Sequence, residues 1–378
     1  MVQQFSLKAG LSRFGDRTKA SVTKELQQHH NMKVYQPMDP NKMTQAQKDI
    51  ALESIIFLTE KRTGEIKTCA VADRSKQRRC PGYKKEESAS PTVSSDSIFI
   101  TGAIEAHKGR KVACYNIPGT FLHADCEDGD TYMLLKDHLT ELMVLVDPKL
   151  YREYVRYSDK GQAMLYLRMS KALYGMLKSA LWFYKLLAKD LKEYGFEVNA
   201  YDPCVANATI NGKQMTVTWH IDDLKASHED INELKKFGNF LKSKYEKDGM
   251  KLTEHYGDVH DYLGINLDYS KKGQMGVSMI QYLTDIINGF SKDIGKPAPC
   301  PAAAHLFQVR DEKDTEYISE EKAREFHHVT AQLLFLCNRA HRDIQTAVAF
   351  LTTRVNRPDI DDWGKLCRVL KYLREQST

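Results

Sequence analysis

Several things are missing from this sequence, and each absence removes a class of function. No run of about 18 apolar residues occurs, so no membrane-spanning helix is expected. The stretch Met1–Lys19 has no apolar core of signal-peptide length, which argues against secretion and for an intracellular protein, cytoplasmic or nuclear. The eight cysteines are scattered, with no C-x-x-C pair and no cysteine–histidine metal spacing, so they read as reduced thiols rather than as a disulfide framework or a zinc site. There is no tandem repeat and no regular βαβ alternation. That leaves an α+β arrangement, and 378 residues suit two or three lobes.

The composition is that of a globular chain, 42% hydrophobic and 28% charged. A net charge of +5 is only mildly basic, but it is unevenly placed. Lys61, Arg62, Lys67, Arg74, Lys76, Arg78, Arg79, Lys84 and Lys85 meet only Glu65 and Asp73 within their window. Such a cluster suits a polyphosphate partner, although a solvated basic loop has the same composition.

The chain punctuates itself with recognisable signals. Residues 1–32 are polar and basic with little periodicity, as in a linker or arm. Residues 44–62 are expected as a helix, 64–72 as a strand or hairpin, 80–96 as a loop, and Ser95 to Ala106 as a helix. Lys111 to Ile117 alternates as a strand and is broken at Pro118-Gly119. A helix should start at Ser179 as N-cap and end at Gly195. Val205–Ile210, Asn211-Gly212 and Met215–Ile221 form the strongest hairpin signal in the chain, with a type I′ turn. The return strand runs into Asp222-Asp223, so both aspartates should sit at a tight strand-to-strand turn. A further helix should follow, carrying Ile231, Leu234, Leu241 and Tyr245 on one face. From Ser319 onward, helices are expected over 320–339, 342–355 and 361–375.

Two adjacent aspartates at a hairpin tip repel each other, and a fold carries such a pair most readily when cations share the charge. Magnesium prefers carboxylate oxygens, and a two-ion site activates a 3′-hydroxyl and stabilises leaving pyrophosphate. Taken alone, an Asp-Asp turn is just as readily a solvated loop. Alternation places Thr216, Thr218, His220 and Asp222 on one, more polar face of the strand. Met215, Val217, Trp219, Ile221 and Asp223 share the other. Asp222 is thereby expected toward a cleft.

These residues carry a resemblance. Trp219-His220-Ile221-Asp222-Asp223-Leu224 resembles the Tyr-x-Asp-Asp box of reverse transcriptases. Asn116-Ile117-Pro118-Gly119-Thr120-Phe121-Leu122-His123-Ala124 is similar to the first catalytic box of the copia-type retrotransposon enzymes. The run from Lys171-Ala172-Leu173-Tyr174-Gly175 to Trp182-Phe183 resembles a third box, Tyr262-Leu263-Gly264-Ile265 resembles the primer grip, and Ala331–Leu334, Arg342–Val348 and Trp363–Leu373 resemble the helices that follow the polymerase. In order and spacing, the likeness covers about residues 33 to 375.

The resemblance implies a right-hand polymerase fold with a mostly helical C-terminal part. Fingers and palm would occupy 33–270, a thumb and connection-like region 271–378, and the end would fall before any ribonuclease H domain. It implies RNA-directed DNA synthesis with two magnesium ions, on an RNA or DNA template with primer, from deoxynucleoside triphosphates. Asp222 and Asp223 would be metal ligands, and Phe121 the sugar gate. Lys67, Tyr174 and Gly175 would contact the nucleotide, and Tyr262, Leu263 and Gly264 the primer. No protease box, zinc knuckle or integrase core accompanies them, as expected of part of a polyprotein.

Five positions depart from the pattern. Asn116 stands where the first catalytic aspartate is expected, and a neutral carboxamide bridges two cations poorly. Cys69 replaces an arginine that would meet the triphosphate, His220 replaces tyrosine, and Ala180-Leu181 replaces Pro-Arg. Three readings therefore stay open: a polymerase, active or impaired; a non-catalytic nucleic-acid binder; or an inert remnant.

Overall fold

A computed structural model describes residues 4–61, 63–75, 77, 88–291 and 294–375. Of the basic cluster, Arg62, Lys76, Arg78, Arg79, Lys84 and Lys85 lie outside the described residues, as does the 80–87 part of the expected loop. The fold is α+β. The chain divides into two compact units, Met1–Ser94 with Val112–His255, and Ser95–Lys111 with Tyr256–Thr378.

In the first unit, the opening residues are not an arm. Leu7–Phe14 and Asp16–Asn31 are helices, and Thr18, Val22, Leu26 and His29 of the second are buried at helical spacing. The many polar residues between them hide this stripe in a window average. Packing supplies the stability that propensity alone would not. The Ser21 hydroxyl bonds the Ile66 carbonyl (2.8 Å) and Thr68 Oγ1 (2.7 Å), and Arg17 donates to the Gly64 carbonyl (3.1 Å).

The helix expected over 44–62 is a second correction. Only Gln45–Ile50 is helical, started by a capping box of Thr44 and Gln47, and Leu52–Glu60 is a strand. The run Ile55-Ile56-Phe57 is β-branched and aromatic, which favours a pleated surface. Ser54 through Glu60 pair antiparallel with Ala72 through Ile66. This sheet has seven strands.

The second sheet, of six strands, carries Lys111–Asn116, Asp223–His228 and Lys213–His220 as neighbours in that order. The hairpin falls where its signal put it. Asn211 (φ 51°) and Gly212 (φ 73°) are both left-handed, as a type I′ turn requires. Both faces of the strand are buried from Met215 to Trp219, however. Thr216 and Thr218 are as enclosed as Trp219, so the predicted polar face opens only at the strand's end. Thr216 Oγ1 finds Asn207 Oδ1 at 2.8 Å, which lets a hydroxyl sit inside. Helix Ser179–Tyr194 ends at left-handed Gly195. Ser179 is its first residue rather than its cap, and its hydroxyl donates to the Leu173 carbonyl at 2.6 Å.

In the second unit, Val259–Tyr262, Ile265–Asp268 and Gly276–Ser278 form a three-stranded sheet. Helices Glu320–Cys337, Gln345–Thr352 and Ile360–Arg374 match the expected spans within a few residues and enclose Phe326, Leu333, Leu336, Leu351, Leu366 and Leu370. Among the described residues, no helix is long and apolar enough to cross a membrane.

Replacing Leu26 by Ala tests the N-terminal correction. If 16–31 is a packed helix, the variant loses about 2–5 kcal/mol of unfolding free energy in urea. An unchanged midpoint would mean that the segment is a free arm.

Candidate active site

The site lies in the first unit, where the strand end at Asn116 meets the hairpin tip His220–Ile221–Asp222–Asp223. His220 pairs with Asp223, so Ile221 and Asp222 make the turn. Ile221 is left-handed (φ 57°), which is strained for a β-branched residue. Its side chain lines a small slot with Pro91, Ala180, Phe183, Tyr184 and Trp219. The Ile117 amide donates to the Asp222 carbonyl at 3.0 Å, tying the two strand ends together.

That tie brings residues 106 apart in sequence into contact. Asn116 Nδ2 donates to Asp223 Oδ1 at 2.7 Å and reaches Asp222 Oδ2 at 3.5 Å. The opposite amide orientation would set an oxygen against two carboxylates, so this one is electrostatically required. Asn116 thus gives the carboxylates a hydrogen-bond donor, without adding any positive charge beside them. Burial pushes the Asp222 carboxyl above the ordinary aspartate value, and Asp223 adds to the rise, while the Asn116 hydrogen bond and His220 oppose it.

Beside the carboxylates stand Phe121 and Tyr174, with ring centroids 4.5 Å apart. Phe121 is on the buried 3₁₀ turn Thr120–His123, and Thr120 Oγ1 holds the Ile117 carbonyl at 2.8 Å. Tyr174 is pushed up to about 12, by burial first and by Asp222 next, with a Thr120 hydrogen bond opposing. Its carbonyl accepts from the Ala72 amide at 2.8 Å. This is why position 175 must be glycine. Its φ is 91°, and a Cβ there would lie 2.1 Å from the Ala72 oxygen.

Lys67 and Cys69 alternate on the Ile66–Ala72 strand, Lys67 exposed and Cys69 half-buried. Burial and then Glu25 push the Cys69 thiol up, so it brings no charge of either sign at neutral pH. Sequence reasoning missed Glu25, because it lies on the helix taken for an arm. Its carboxylate accepts from the Ala70 amide at 3.3 Å, and burial raises its pKa while Lys67 lowers it. The spacing of Thr18, Val22, Leu26 and His29 was the available signal. Gln77, also missed, accepts from the Leu177 amide at 3.0 Å.

Asn116, Asp222, Asp223, Phe121, Tyr174, Gly175 and Lys67 all belong to the first unit. Tyr262, Leu263 and Gly264 belong to the second. There Tyr262 is buried, and left-handed Leu263 and Gly264 (φ 53° and 76°) turn one strand into the next. The acidic loop behaves as a solvated one, with Asp125, Asp128 and Glu127 paired to Lys171, Lys178 and Lys185. Among the described residues, no three His, Cys, Asp or Glu side chains gather as a metal site. The carboxylate oxygens of Asp222 and Asp223 are the hard donors a cation would find here, whereas the Asn116 NH2 that faces them has no lone pair to give one.

Asp222 gives a pH test. Its folded pKa lies above the unfolded value of 3.8, so the folded state holds the proton longer. The associated stability is fully present below 3.8 and is lost as pH rises through the folded value. Chemical denaturation across that window should show a steeper decline for the natural chain than for Asp222→Asn. Parallel curves would mean that the carboxyl is not perturbed.

Residues 42–302 match the family model described as reverse transcriptase (RNA-dependent DNA polymerase). The Ty1-DR5 and Ty1-LR2 transposon Gag-Pol polyproteins of Saccharomyces cerevisiae are each 24% identical over 284 residues, covering 68% of this chain. The chain spans only 15% of the length of those relatives. Among solved structures, a foamy viral protease-reverse transcriptase in complex with double-stranded DNA aligns with TM-score 0.48 and 10% identity, covering 94% of this chain and 48% of that one. Apo telomerase from Candida tropicalis aligns at 0.43 and 11%, covering 96% and 67%. The chain belongs to the reverse transcriptase (RNA-dependent DNA polymerase) family, in its copia-type retrotransposon branch.

Proposed function

We propose that the first unit's site serves template-directed DNA synthesis, with Asn116 limiting the rate. The observation that carries this reading is the convergence of Asn116, Asp222 and Asp223 at two strand ends beside the Phe121–Tyr174 pair. In this reading Asp222 and Asp223 would hold magnesium, which when bound would activate the primer 3′-hydroxyl and stabilise pyrophosphate. Phe121 limits space at the sugar. Tyr174 and Gly175 shape the floor under the nucleotide, and Lys67 supplies the remaining cation toward the triphosphate. Tyr262, Leu263 and Gly264 would grip the primer. Residues 33–270 would serve as fingers and palm of a right hand and 271–378 as thumb and connection, acting in the cytoplasm or nucleus.

The amide of Asn116 favours a second reading as well. Because it bonds Asp223 and reaches Asp222, the chain can fold and hold nucleic acid without performing chemistry. Affinity would then rest on phosphate contacts and fall steeply with salt. Binding to a primer–template that does not weaken between low and moderate salt would dismiss this reading.

Primer extension on poly-rA with magnesium separates the two. Asn116→Asp should extend on the order of 100-fold faster than the natural chain, the scale of one well-placed charge-stabilising group. Equal rates would show that Asn116 does not limit synthesis. Two folded but inactive proteins would favour the binding role.

A further inference from the structure

The second unit contains a cleft of about 400 Å³ that has no part in the site above. One wall is a face of the helix Ile360–Arg374, presenting Gly364, Lys365, Arg368 and Lys371; the other is the segment Pro301–Gln308, contributing His305 and Gln308. The volume falls in the range of small-molecule sites, roughly 300–1,000 Å³.

The charge in this cleft is positive and incompletely used. At its edge, Asp361 is cancelled by a two-point pairing with Arg310 at 2.6 and 2.8 Å. Asp362, behind the wall, is held by Arg354 at 2.9 Å and lies 3.7 Å from Lys365. Lys365 donates to the Gln308 carbonyl at 2.7 Å. Arg368 and Lys371 make no ion pair among the described residues. The guanidinium of Arg368 gives one hydrogen bond, from Nη2 to Cys300 Sγ at 3.2 Å, while its Nε is closed off from solvent without a partner among the described residues. A buried donor with no acceptor is costly, and a guanidinium presents its donors in a fork suited to oxyanions. Gly364 is exposed on the helix face that lines the cleft, and a Cβ there would touch nothing within 4 Å, so a larger side chain can be placed in the cleft at this position without disturbing the packing.

We propose that this cleft binds a phosphoryl oxyanion, with Arg368 and Lys371 as its principal contacts and Lys365 and His305 at its margin. The group can arrive as free phosphate or as part of a nucleic-acid backbone. The inference does not depend on the polymerase reading, because it concerns other residues and needs no metal.

The test uses the full chain in EDTA, which removes metal-dependent phosphate binding from the measurement. Inorganic phosphate binding is followed by calorimetry, and affinity for a short DNA duplex by anisotropy at several salt concentrations. Two variants are compared, Arg368→Gln with Lys371→Gln, and Gly364→Leu, which fills the cleft while keeping every charge. Thermal melting verifies that each folds. If free phosphate is the ligand, both variants lose at least about tenfold in phosphate affinity, corresponding to about 1.4 kcal/mol. If a backbone phosphate is the ligand, free phosphate binds no variant measurably. Both variants then bind duplex more weakly, and the salt slope of the charge variant falls by about two. Folded variants that match the natural chain in both arms overturn the proposal. Loss in the charge variant with Gly364→Leu unaffected also overturns it, because the cleft would not be where the anion sits.

Discussion

Two carboxylates at the tip of a hairpin repel each other, and in this chain a carboxamide eases that repulsion by donating hydrogen bonds to them. The Asn116 amide bonds Asp223 directly and approaches Asp222. A hydrogen bond to a charged group contributes roughly 1.5–3 kcal/mol. Around that contact the rest of the site falls into place. Ile221 is held left-handed in its apolar slot, the Ile117 amide locks the two strand ends, and the Thr120 hydroxyl fixes the turn that delivers Phe121. An aspartate at 116 would make three carboxylates in one place and leave their repulsion to be settled by cations. In the proposed reading, asparagine lowers the repulsion in the metal-free site and would weaken two-ion chemistry for the same physical reason.

Much of this was legible in the sequence where the signal is local and chemical. The Asn211-Gly212 turn, the placement of Asp222-Asp223 at a strand-to-strand tip, the stop at Gly195 and the three C-terminal helices each follow from a short pattern with one dominant cause. The departures at Asn116 and Cys69 could be named before any geometry, since charge is written in the residue type. What could not be read depended on tertiary packing. The 16–31 helix has four buried positions in a polar background, so its stripe is visible only once a partner surface is supplied. The 52–60 strand begins directly after a capped helical turn, and its apolar residues satisfy helical and strand periods nearly equally until the 66–72 strand pairs with it. The burial of Thr216 and Thr218 was similarly hidden, because alternation assigns faces but does not say that both are covered.

The two candidate sites show one rule operating with opposite sign. In the first unit, surplus negative charge is met by an amide from a neighbouring strand. In the second, Arg368 and Lys371 line a cleft and make no ion pair among the described residues. Compensation is internal in one case and awaits a ligand in the other. Glu25 belongs to the same logic. With Cys69 uncharged beside it, the Lys67 ammonium has an acidic neighbour on the surface where a triphosphate would lie.

The most direct test of the central claim is the binding of manganese, a spectroscopic stand-in for magnesium, to the nucleic-acid-free protein. Electron paramagnetic resonance titrations of the natural chain and of Asn116→Asp would be compared, with Asp222→Asn as the control for site-specific binding. If the amide takes the place of a cation, Asn116→Asp binds manganese at least about tenfold more tightly than the natural chain. It should also take up a second ion, and the control should lose the site. Equal affinity and equal stoichiometry in the two proteins would contradict the account, because the Asn116 contact would then have no bearing on how the carboxylates are neutralised.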